Sequence, residues 1–343
     1  MKTRIFKGNF FEIGEQQGRL YEANGLKLLD NIKIDSILYK NQLRIYEKHY
    51  PELLEELSGI AEAGTYNKDK LIFGAITLEI SAYRNTFSLY KQCTIFGYKD
   101  EKSLYVGRNY DWLPSSNGIF DIYKVINPER NSFIAVTDLG IMSPETATPE
   151  YYMYVAADTI NDKGLFIGLT YAYAAQWSYG ISNMFMIKLI AETCETVDEA
   201  LSVFEKVPLC CPKNFFIADK NGDMVVVEHT SKKFKVLYPK DNILIQTNHY
   251  VDAELAKEDI GLKQNPTNTN YSIIRYNETL RKINLEKGKF NLSSIIKILG
   301  RPRIYQDNSN AKTIWTLALD MSNKKYKIYW DVTKNRRVKN LEI

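Results

Sequence analysis

The chain has 343 residues, 45% of them hydrophobic, and a formal net charge of +4. This composition is normal for a globular protein with a full core, and the length allows one large domain or two ordinary ones. The small basic excess lies late in the chain, at 323–327 and 334–340, where a solvated face explains it better than a nucleic-acid site does.

The first residues and the cysteines indicate the compartment. The opening segment MKTRIFKGNFFEIGEQQG has no uninterrupted apolar core and no small-residue cleavage site, so it does not resemble a signal peptide. No apolar run approaches the length of about eighteen residues that indicates a membrane span. Four cysteines match neither a disulfide framework nor a zinc site: Cys93, Cys194, Cys210 and Cys211. We therefore expect a soluble, reduced, cytoplasmic protein that needs no metal and no membrane.

Residues 1–92 have the apolar spacing of helices. Gly14 and Gly18 are four residues apart, so they would share one helix face that another element can approach closely. Three helices are predicted in this segment, within 8–29, 50–64 and 67–83.

From Cys93 onward, short segments rich in β-branched and aromatic residues predict strands. The first two, TIFGY and SLYVGR, flank the turn KDEK and should form a hairpin. The further strands are predicted at 119–126, 132–139, 151–158, 164–171, 214–219, 224–229, 233–238, 243–248, 313–322 and 324–332, and the helices at 184–194, 196–207, 271–286 and 292–299. Strands, paired helices and strands again, without βαβ alternation, predict an α+β layered fold.

The residues of greatest chemical interest surround Cys93. A lone cysteine is usually a small core residue, but this one lies where the helical segment meets the strand-rich segment. The predicted hairpin returns the chain, so Arg108 and Asp111 should lie beside the start of its first strand. A structural salt bridge between Arg108 and Asp111 is the alternative interpretation of that pair.

The sequence CT, followed by a hairpin and GRNYDW, resembles the signature of N-terminal-nucleophile (Ntn) hydrolases. The resemblance is to isopenicillin N acyltransferase-like proteins, which are related to choloylglycine hydrolases and acid ceramidase. It covers most of the chain, because FFEIGEQQG, PELLEELSGIAEAG, NDKGLFIGL, VVVEHT, QTNHY and TIWTLALDMSNKKYKIYWD resemble family segments in the same order. It implies a four-layer αββα sandwich with a helical pro-segment over 1–92 and a catalytic domain over 93–343.

The resemblance also implies activation by self-cleavage. The bond Gln92–Cys93 would be cleaved by attack of the Cys93 thiol on the Gln92 carbonyl, which frees the α-amino group of Cys93. An α-amine with a pKa of about 7.7–8.0 is a fair base near neutral pH. The same nitrogen is an amide in the precursor and cannot act as a base, which gives a physical reason for activation by cleavage.

Further site residues follow from the resemblance. Asp111 is similar to the residue that holds the α-amine. Arg108 is similar to the residue beside the thiol, where a cation favours the thiolate, although contact with a substrate carbonyl is an alternative. Asn248 matches the asparagine whose side-chain amide points at the oxyanion. Arg275 lies where the family has another site arginine, and a surface or helix-pairing arginine is its alternative.

One segment departs from the bile-salt hydrolase pattern. Those enzymes have a second oxyanion asparagine after GLxxxGL, whereas GLFIGLTY is one residue shorter, so that Thr170 or Tyr171 falls there. A backbone N–H or the Tyr171 hydroxyl would have to replace that amide. The departure favours the acyltransferase-like branch of the family.

The implied function is hydrolysis or transfer of an acyl group at a non-peptide C–N amide bond, through a Cys93 thioester. Water as the second nucleophile gives an amidase, and a bound amine gives a transferase. No prosthetic group is expected, and coenzyme A would enter only as the thioester of an acyl donor. The pro-segment can remain bound as a subunit after cleavage, and a homo-oligomer is compatible with the sequence.

Two other functions compete with this one. A conventional Cys–His thiol hydrolase would use one of the three histidines, which are His49, His229 and His249. A non-catalytic binding protein of the same fold would remain unprocessed.

Overall fold

The computed structural model describes residues 3–25, 32–85, 92–139, 154–261, 266–331 and 336–343. Within these residues the elements, in chain order, are β1 (Arg4–Lys7), α1 (Phe10–Ala23), α2 (Ser36–His49), α3 (Pro51–Ala63), α4 (Lys68–Asn85), β2 (Gln92–Lys99), β3 (Leu104–Trp112), β4 (Phe120–Ile126), β5 (Phe133–Asp138), β6 (Asp158–Asn161), β7 (Phe166–Thr170), α5 (Asn183–Thr193), α6 (Val197–Lys206), β8 (Lys213–Ala218), β9 (Met224–His229), β10 (Phe234–Leu237), β11 (Ile243–Gln246), α7 (Pro266–Glu286), α8 (Leu292–Leu299), β12 (Lys312–Asp320), β13 (Lys325–Trp330) and β14 (Arg337–Asn340).

The strands form two sheets that pack face to face. The larger sheet has the order β1-β4-β5-β6-β7-β8-β9-β10, and the smaller has the order β11-β2-β3-β12-β13-β14. The pair β1–β4 is parallel and the other described pairs are antiparallel. Apolar side chains of both sheets meet in one core, which includes Ile95, Val106, Phe166 and Val226.

Helices cover the outer face of each sheet. Helices α1, α5 and α6 contact the larger sheet, helices α2 to α4 pack against α1 and one another, and Ile13, Leu57 and Ile187 belong to the shared core. Helices α7 and α8 pack on the smaller sheet, where Ile283 and Ile295 are buried. The arrangement confirms the predicted α+β class and the αββα sandwich, because each sheet buries one face on the other sheet and one on helices.

The helical prediction for residues 1–92 is wrong at one place and incomplete at another. Residues Arg4–Lys7 form a strand, β1, whose parallel pairing with β4 no local pattern reveals. Helix α2 was not predicted, because its buried stripe contains a polar residue, Gln42. That side chain is fully buried and donates to the carbonyls of Ile76 and Gly180, at 2.8 and 3.0 Å. Part of the predicted first helix, 26–29, lies outside the described residues.

Two further boundaries differ from the sequence prediction. The strand predicted at 151–158 begins only at Asp158, and residues 151–153 lie outside the described part. The N–H of Tyr154 donates instead to the Tyr21 hydroxyl, at 2.9 Å. Helix α7 begins at Pro266 rather than at residue 271, and proline suits the first turn of a helix.

The small helix face predicted at Gly14 and Gly18 is confirmed. A Cβ atom at Gly14 would lie 2.0 Å from the carbonyl oxygen of Glu56, and one at Gly18 would lie 2.5 Å from that of Ile60. Gly59 on α3 makes the same close approach towards α1. The backbones of α1 and α3 are therefore in direct contact, and any side chain at these positions would separate them.

A buried ionic cluster ties residues 1–92 to the rest of the chain. Glu56 on α3 forms an ion pair with Lys188 on α5, and both side chains are about 5% exposed. The Lys188 ammonium also lies 3.7 Å from Glu192, which accepts a hydrogen bond from the Tyr50 hydroxyl. Gln17 donates to the second oxygen of Glu56 at 2.8 Å.

The substitution Glu56→Ala should lower the free energy of unfolding by ~3 kcal/mol, because it leaves the Lys188 ammonium buried without its nearest carboxylate. The matched control is Glu55→Ala, an exposed glutamate on the same helix, which should change it by less than ~0.5 kcal/mol. Urea unfolding of both variants is the measurement. Equal effects of the two substitutions would show that the pair does not hold the helical layer.

Candidate functional site

The hairpin of β2 and β3 has the geometry predicted from the sequence. Asp100 closes its turn, because Oδ1 accepts the N–H groups of Lys102 and Ser103, at 2.8 and 3.1 Å. The strand register pairs Gln92 with Asp111 and Cys93 with Tyr110. Each strand is buried almost throughout, so the start of β2 lies inside the protein.

The main chain of Cys93 is held on both sides by distant residues. Its N–H donates to Asn248 Oδ1 at 2.5 Å, and its carbonyl accepts from the Arg275 guanidinium. Arg275 also donates to Thr94 Oγ1 and to Asn248 Oδ1, both at 2.9 Å. It is fully buried, so the surface or helix-pairing alternative for this arginine is wrong.

The thiol of Cys93 is buried beside a cation. Burial raises the pKa of the thiol, and the nearby Arg108 guanidinium works against that increase. The carboxylate of Asp111 adds to the increase, whereas its backbone N–H favours the thiolate. The thiol therefore senses one positive and one negative side chain, and their balance sets its reactivity.

Arg108 is held in place by the protein itself. Its Nε pairs with Asp158, Nη1 donates to the Asn109 carbonyl at 2.9 Å, and Nη2 donates to the Leu169 carbonyl at 3.2 Å. The structural partner of Arg108 is thus Asp158, and the alternative of a salt bridge between Arg108 and Asp111 is wrong. With these donors in use, the guanidinium is positioned beside the thiol.

Asp158 is a site residue that the sequence analysis missed. It is buried, and its second oxygen accepts the indole N–H of Trp315 at 2.9 Å. The Trp315 ring also stacks on Tyr110, with 3.9 Å between the ring centroids. Nothing in the spacing of Asp158 from Arg108, 50 residues apart, indicates that they pair.

Asp111 has one oxygen in use and one without a donor. Its Oδ1 accepts from Thr313 at 2.6 Å, and Oδ2 is buried with no hydrogen-bond donor among the described residues. Burial raises the pKa of Asp111 to about 7, although the nearby Arg275 and Arg108 and the Thr313 hydroxyl lower it. In this uncleaved chain the nitrogen of Cys93 bonds to Asn248 and not to Asp111.

Three further predicted site residues, Asn248, Thr170 and Tyr171, lie on neighbouring segments. Asn248 Nδ2 donates to the Tyr171 carbonyl at 3.1 Å. Thr170 Oγ1 donates to the carbonyl of Thr247 at 2.6 Å, so it holds the segment that carries Asn248. The Tyr171 ring stacks on Trp112, with 5.9 Å between the centroids. The Lys213 ammonium lies 3.9 Å from the centre of the Tyr171 ring.

A family model matches the chain over residues 98–335, more than half of its length. The family is described as acyl-coenzyme A:6-aminopenicillanic acid acyl-transferase. The chain belongs to this family. It is accordingly an enzyme of the N-terminal-nucleophile hydrolase and acyltransferase type. The match contains Arg108, Asp111, Asn248 and Arg275, and it begins just after Cys93.

Solved structures of two enzymes share the fold of this acyl-transferase family member. Penicillin V acylase from Agrobacterium tumefaciens has a TM-score of 0.55 and 16% sequence identity, over 73% of this chain and 86% of that chain. A variant of conjugated bile acid hydrolase from Clostridium perfringens has a TM-score of 0.52 and 14% identity, over 73% and 92%. No curated protein sequence matches the chain.

The histidines of this family member do not contact Cys93 in the described structure. Burial lowers the pKa of His229 to about 3. Burial and the Arg275 charge lower the pKa of His249 to about 4, and its Nδ1 lies 2.9 Å from Ser272 Oγ. His49 ends helix α2 in the helical layer. The geometry therefore gives no support to a Cys–His pair.

Metal-binding clusters and membrane-spanning helices are absent from the described part of the chain. These residues contain no group of three His, Cys, Asp or Glu side chains that would hold a metal ion. None of the described helices is long and apolar enough to cross a membrane. The absence of a metal or prosthetic group from the reaction stays a prediction.

The substitution Asp111→Asn, made in a Cys93→Ala chain, should remove part of the pH dependence of stability. The pKa of Asp111 is about 7 in the folded chain and about 3.9 in an unfolded one. Its contribution to folding is therefore largest at low pH and is lost as the pH rises from about 4 to about 7. When the pH is lowered from about 7.5 to about 5, the free energy of unfolding of the parent should rise by ~1–3 kcal/mol more than that of the Asn variant.

Urea unfolding at both pH values measures this difference. His229 and His249 titrate in the parent and in the variant alike, so the comparison isolates Asp111. Identical pH slopes would show that the Asp111 carboxyl is not perturbed by its burial.

Proposed function

We propose that this enzyme is a self-processed cysteine amidohydrolase or acyltransferase whose nucleophile is Cys93. The observation that carries the proposal is the convergence on this one residue. Asn248 and Arg275 hold its main-chain N–H and C=O, while Arg108 and Asp111 lie beside its thiol. Four polar side chains from three separate segments meet at a single buried cysteine, which a core residue does not need.

Self-cleavage begins with attack of the Cys93 sulfur on the Gln92 carbonyl carbon. The C–N bond breaks, a thioester forms between Gln92 and the sulfur, and the nitrogen takes up a proton to become an α-amine. Water then hydrolyses the thioester and releases the Gln92 carboxylate. The Asp111 carboxylate accepts the thiol proton in this proposal. It acts electrostatically on the thiol, its Oδ2 has no donor among the described residues, and its pKa is about 7.

After cleavage, the nitrogen held by Asn248 Oδ1 is an amine with a lone pair. It takes the proton of the Cys93 thiol, the sulfur attacks the substrate amide carbonyl, and the proton passes to the departing amine. Asn248 Nδ2 uses one of its hydrogens on Tyr171, and the other has no acceptor among the described residues. That second hydrogen stabilises the oxyanion of the tetrahedral intermediate.

The substrate is a small molecule with a non-peptide acyl-amide bond. The family description names an acyl-coenzyme A and an amine acceptor, and the two similar structures are an acylase of penicillin V and a hydrolase of conjugated bile acids. The stacked rings of Trp112 and Tyr171 lie beside the site and suit an apolar or aromatic acyl group. Water or a bound amine completes the reaction at the thioester, with coenzyme A entering only as the acyl donor.

Residues 1–92 remain bound as a subunit after cleavage in this proposal. Strand β1 belongs to the larger sheet, and Glu56 pairs with Lys188 in a buried position. A second buried pair joins Glu79 on α4 to Lys213 at 2.9 Å. Removal of this segment would expose apolar surface and leave two lysines without their partners. A cytoplasmic location fits the four cysteines, which are all free.

A panel of aryl-acyl, fatty-acyl and bile-acid amides, assayed with and without added amines, tests the function. The wild type should release amine from at least one class, and Cys93→Ala should lower the rate at least ~1000-fold, because no other thiol lies at the site. Cys194→Ala removes another buried thiol and should leave the rate unchanged. Undiminished turnover by Cys93→Ala would refute Cys93 as the nucleophile, and no turnover of any amide would favour a binding protein.

A further inference from the structure

We propose that Ser272 is a positioning residue that fixes Asn248 against Cys93. The proposal rests on the proposed function, because it assumes that Asn248 serves the chemistry at Cys93. Ser272 lies on α7, outside the motifs that led to the site. Its role follows from two observations. Its hydroxyl contacts the main chain of Asn248, and Arg275, one turn later on the same helix, contacts the Asn248 side chain.

The Ser272 hydroxyl has three hydrogen-bond partners. Its Oγ accepts the backbone N–H of Asn248 at 2.7 Å, and it lies 2.9 Å from His249 Nδ1 and 3.0 Å from Thr247 Oγ1. A hydroxyl has one proton and two acceptor sites, so these partners use it completely. The backbone N–H of Asn248 can only donate, so that bond is present whichever tautomer His249 adopts.

Helix α7 contacts both the main chain and the side chain of Asn248. Residues three apart lie on the same helix face, so Ser272 and Arg275 point towards the same partner. Ser272 fixes the main-chain nitrogen of Asn248, and Arg275 fixes its side-chain oxygen at 2.9 Å. The side-chain amide that receives the Cys93 nitrogen is thereby oriented from two directions.

The position of that amide matters for the rate. The Asn248 oxygen must meet the nitrogen of Cys93, and Nδ2 must meet the oxyanion, so a small rotation weakens both contacts. A displacement of about 1 Å at a reacting group lowers a rate by about 100-fold. Thr279, further along α7, is the useful contrast: its buried hydroxyl has no hydrogen-bond partner among the described residues.

A double-mutant cycle tests the proposal. Ser272→Ala should lower kcat about 10- to 100-fold and change KM less than about threefold, because a misplaced Asn248 affects the transition state more than binding. In an Asn248→Ala background the same change should cost less than about threefold, since its target is gone. Ser272→Thr keeps the hydroxyl and should restore most of the rate, and the control Thr279→Val should not change kcat.

The outcomes separate this proposal from the proposed function. A normal kcat in Ser272→Ala, or losses that multiply in the double variant, would overturn the positioning role and leave the Cys93 account standing. A normal kcat in Asn248→Ala would overturn both the positioning role of Ser272 and the proposed oxyanion role of Asn248, and only undiminished turnover by Cys93→Ala would refute the nucleophile. If a variant is self-cleaved too slowly to give processed enzyme, the rate of self-cleavage of all four chains replaces kcat in the same cycle. If Ser272→Ala does not fold, Ser272→Cys takes its place in the cycle. Its thiol is a weak acceptor of similar size, so its kcat should be lower than that of Ser272→Thr.

Discussion

The hydrogen bond from the Cys93 main-chain nitrogen to Asn248 Oδ1 is the contact on which the site depends. It joins the first residues of β2 to the segment after β11, and Arg275 on α7 braces both of its ends. The same contact is useful before and after cleavage. It holds an amide in the uncleaved chain and would hold an amine in the proposed processed chain, so the site would need no rearrangement between the proposed self-cleavage and the proposed turnover.

The charged side chains near the Cys93 thiol are themselves held or modified by buried neighbours. Arg108 favours the thiolate, but its own buried charge is balanced by Asp158, and an unbalanced guanidinium at this depth would be costly. Asp111 carries the opposite charge near the sulfur and has a raised pKa because it is buried. Arg108 therefore forms a neutral pair with Asp158, and a pKa of about 7 leaves Asp111 only partly ionised near neutral pH, so little unbalanced charge is buried around the thiol.

Local patterns predicted part of this structure. The β2–β3 hairpin and the close approach at Gly14 were visible in the sequence, because turn chemistry and small residues act over a few positions. Helix α2 was hidden because Gln42 is buried through hydrogen bonds to distant carbonyls. Asp158 and Ser272 were missed for the same reason, since their partners lie far away in the chain and only the fold brings them together.

Residues 1–92 are an integral part of the fold, yet the bond that ends this segment, Gln92–Cys93, is the one that the proposed mechanism breaks. Intact mass spectrometry of the purified chain tests this most directly. The wild type should give two species, residues 1–92 and 93–343, that co-elute on size exclusion, while Cys93→Ala should remain one chain of 343 residues. A wild-type chain that stays whole, or a Cys93→Ala chain cleaved at the same bond, would contradict the account.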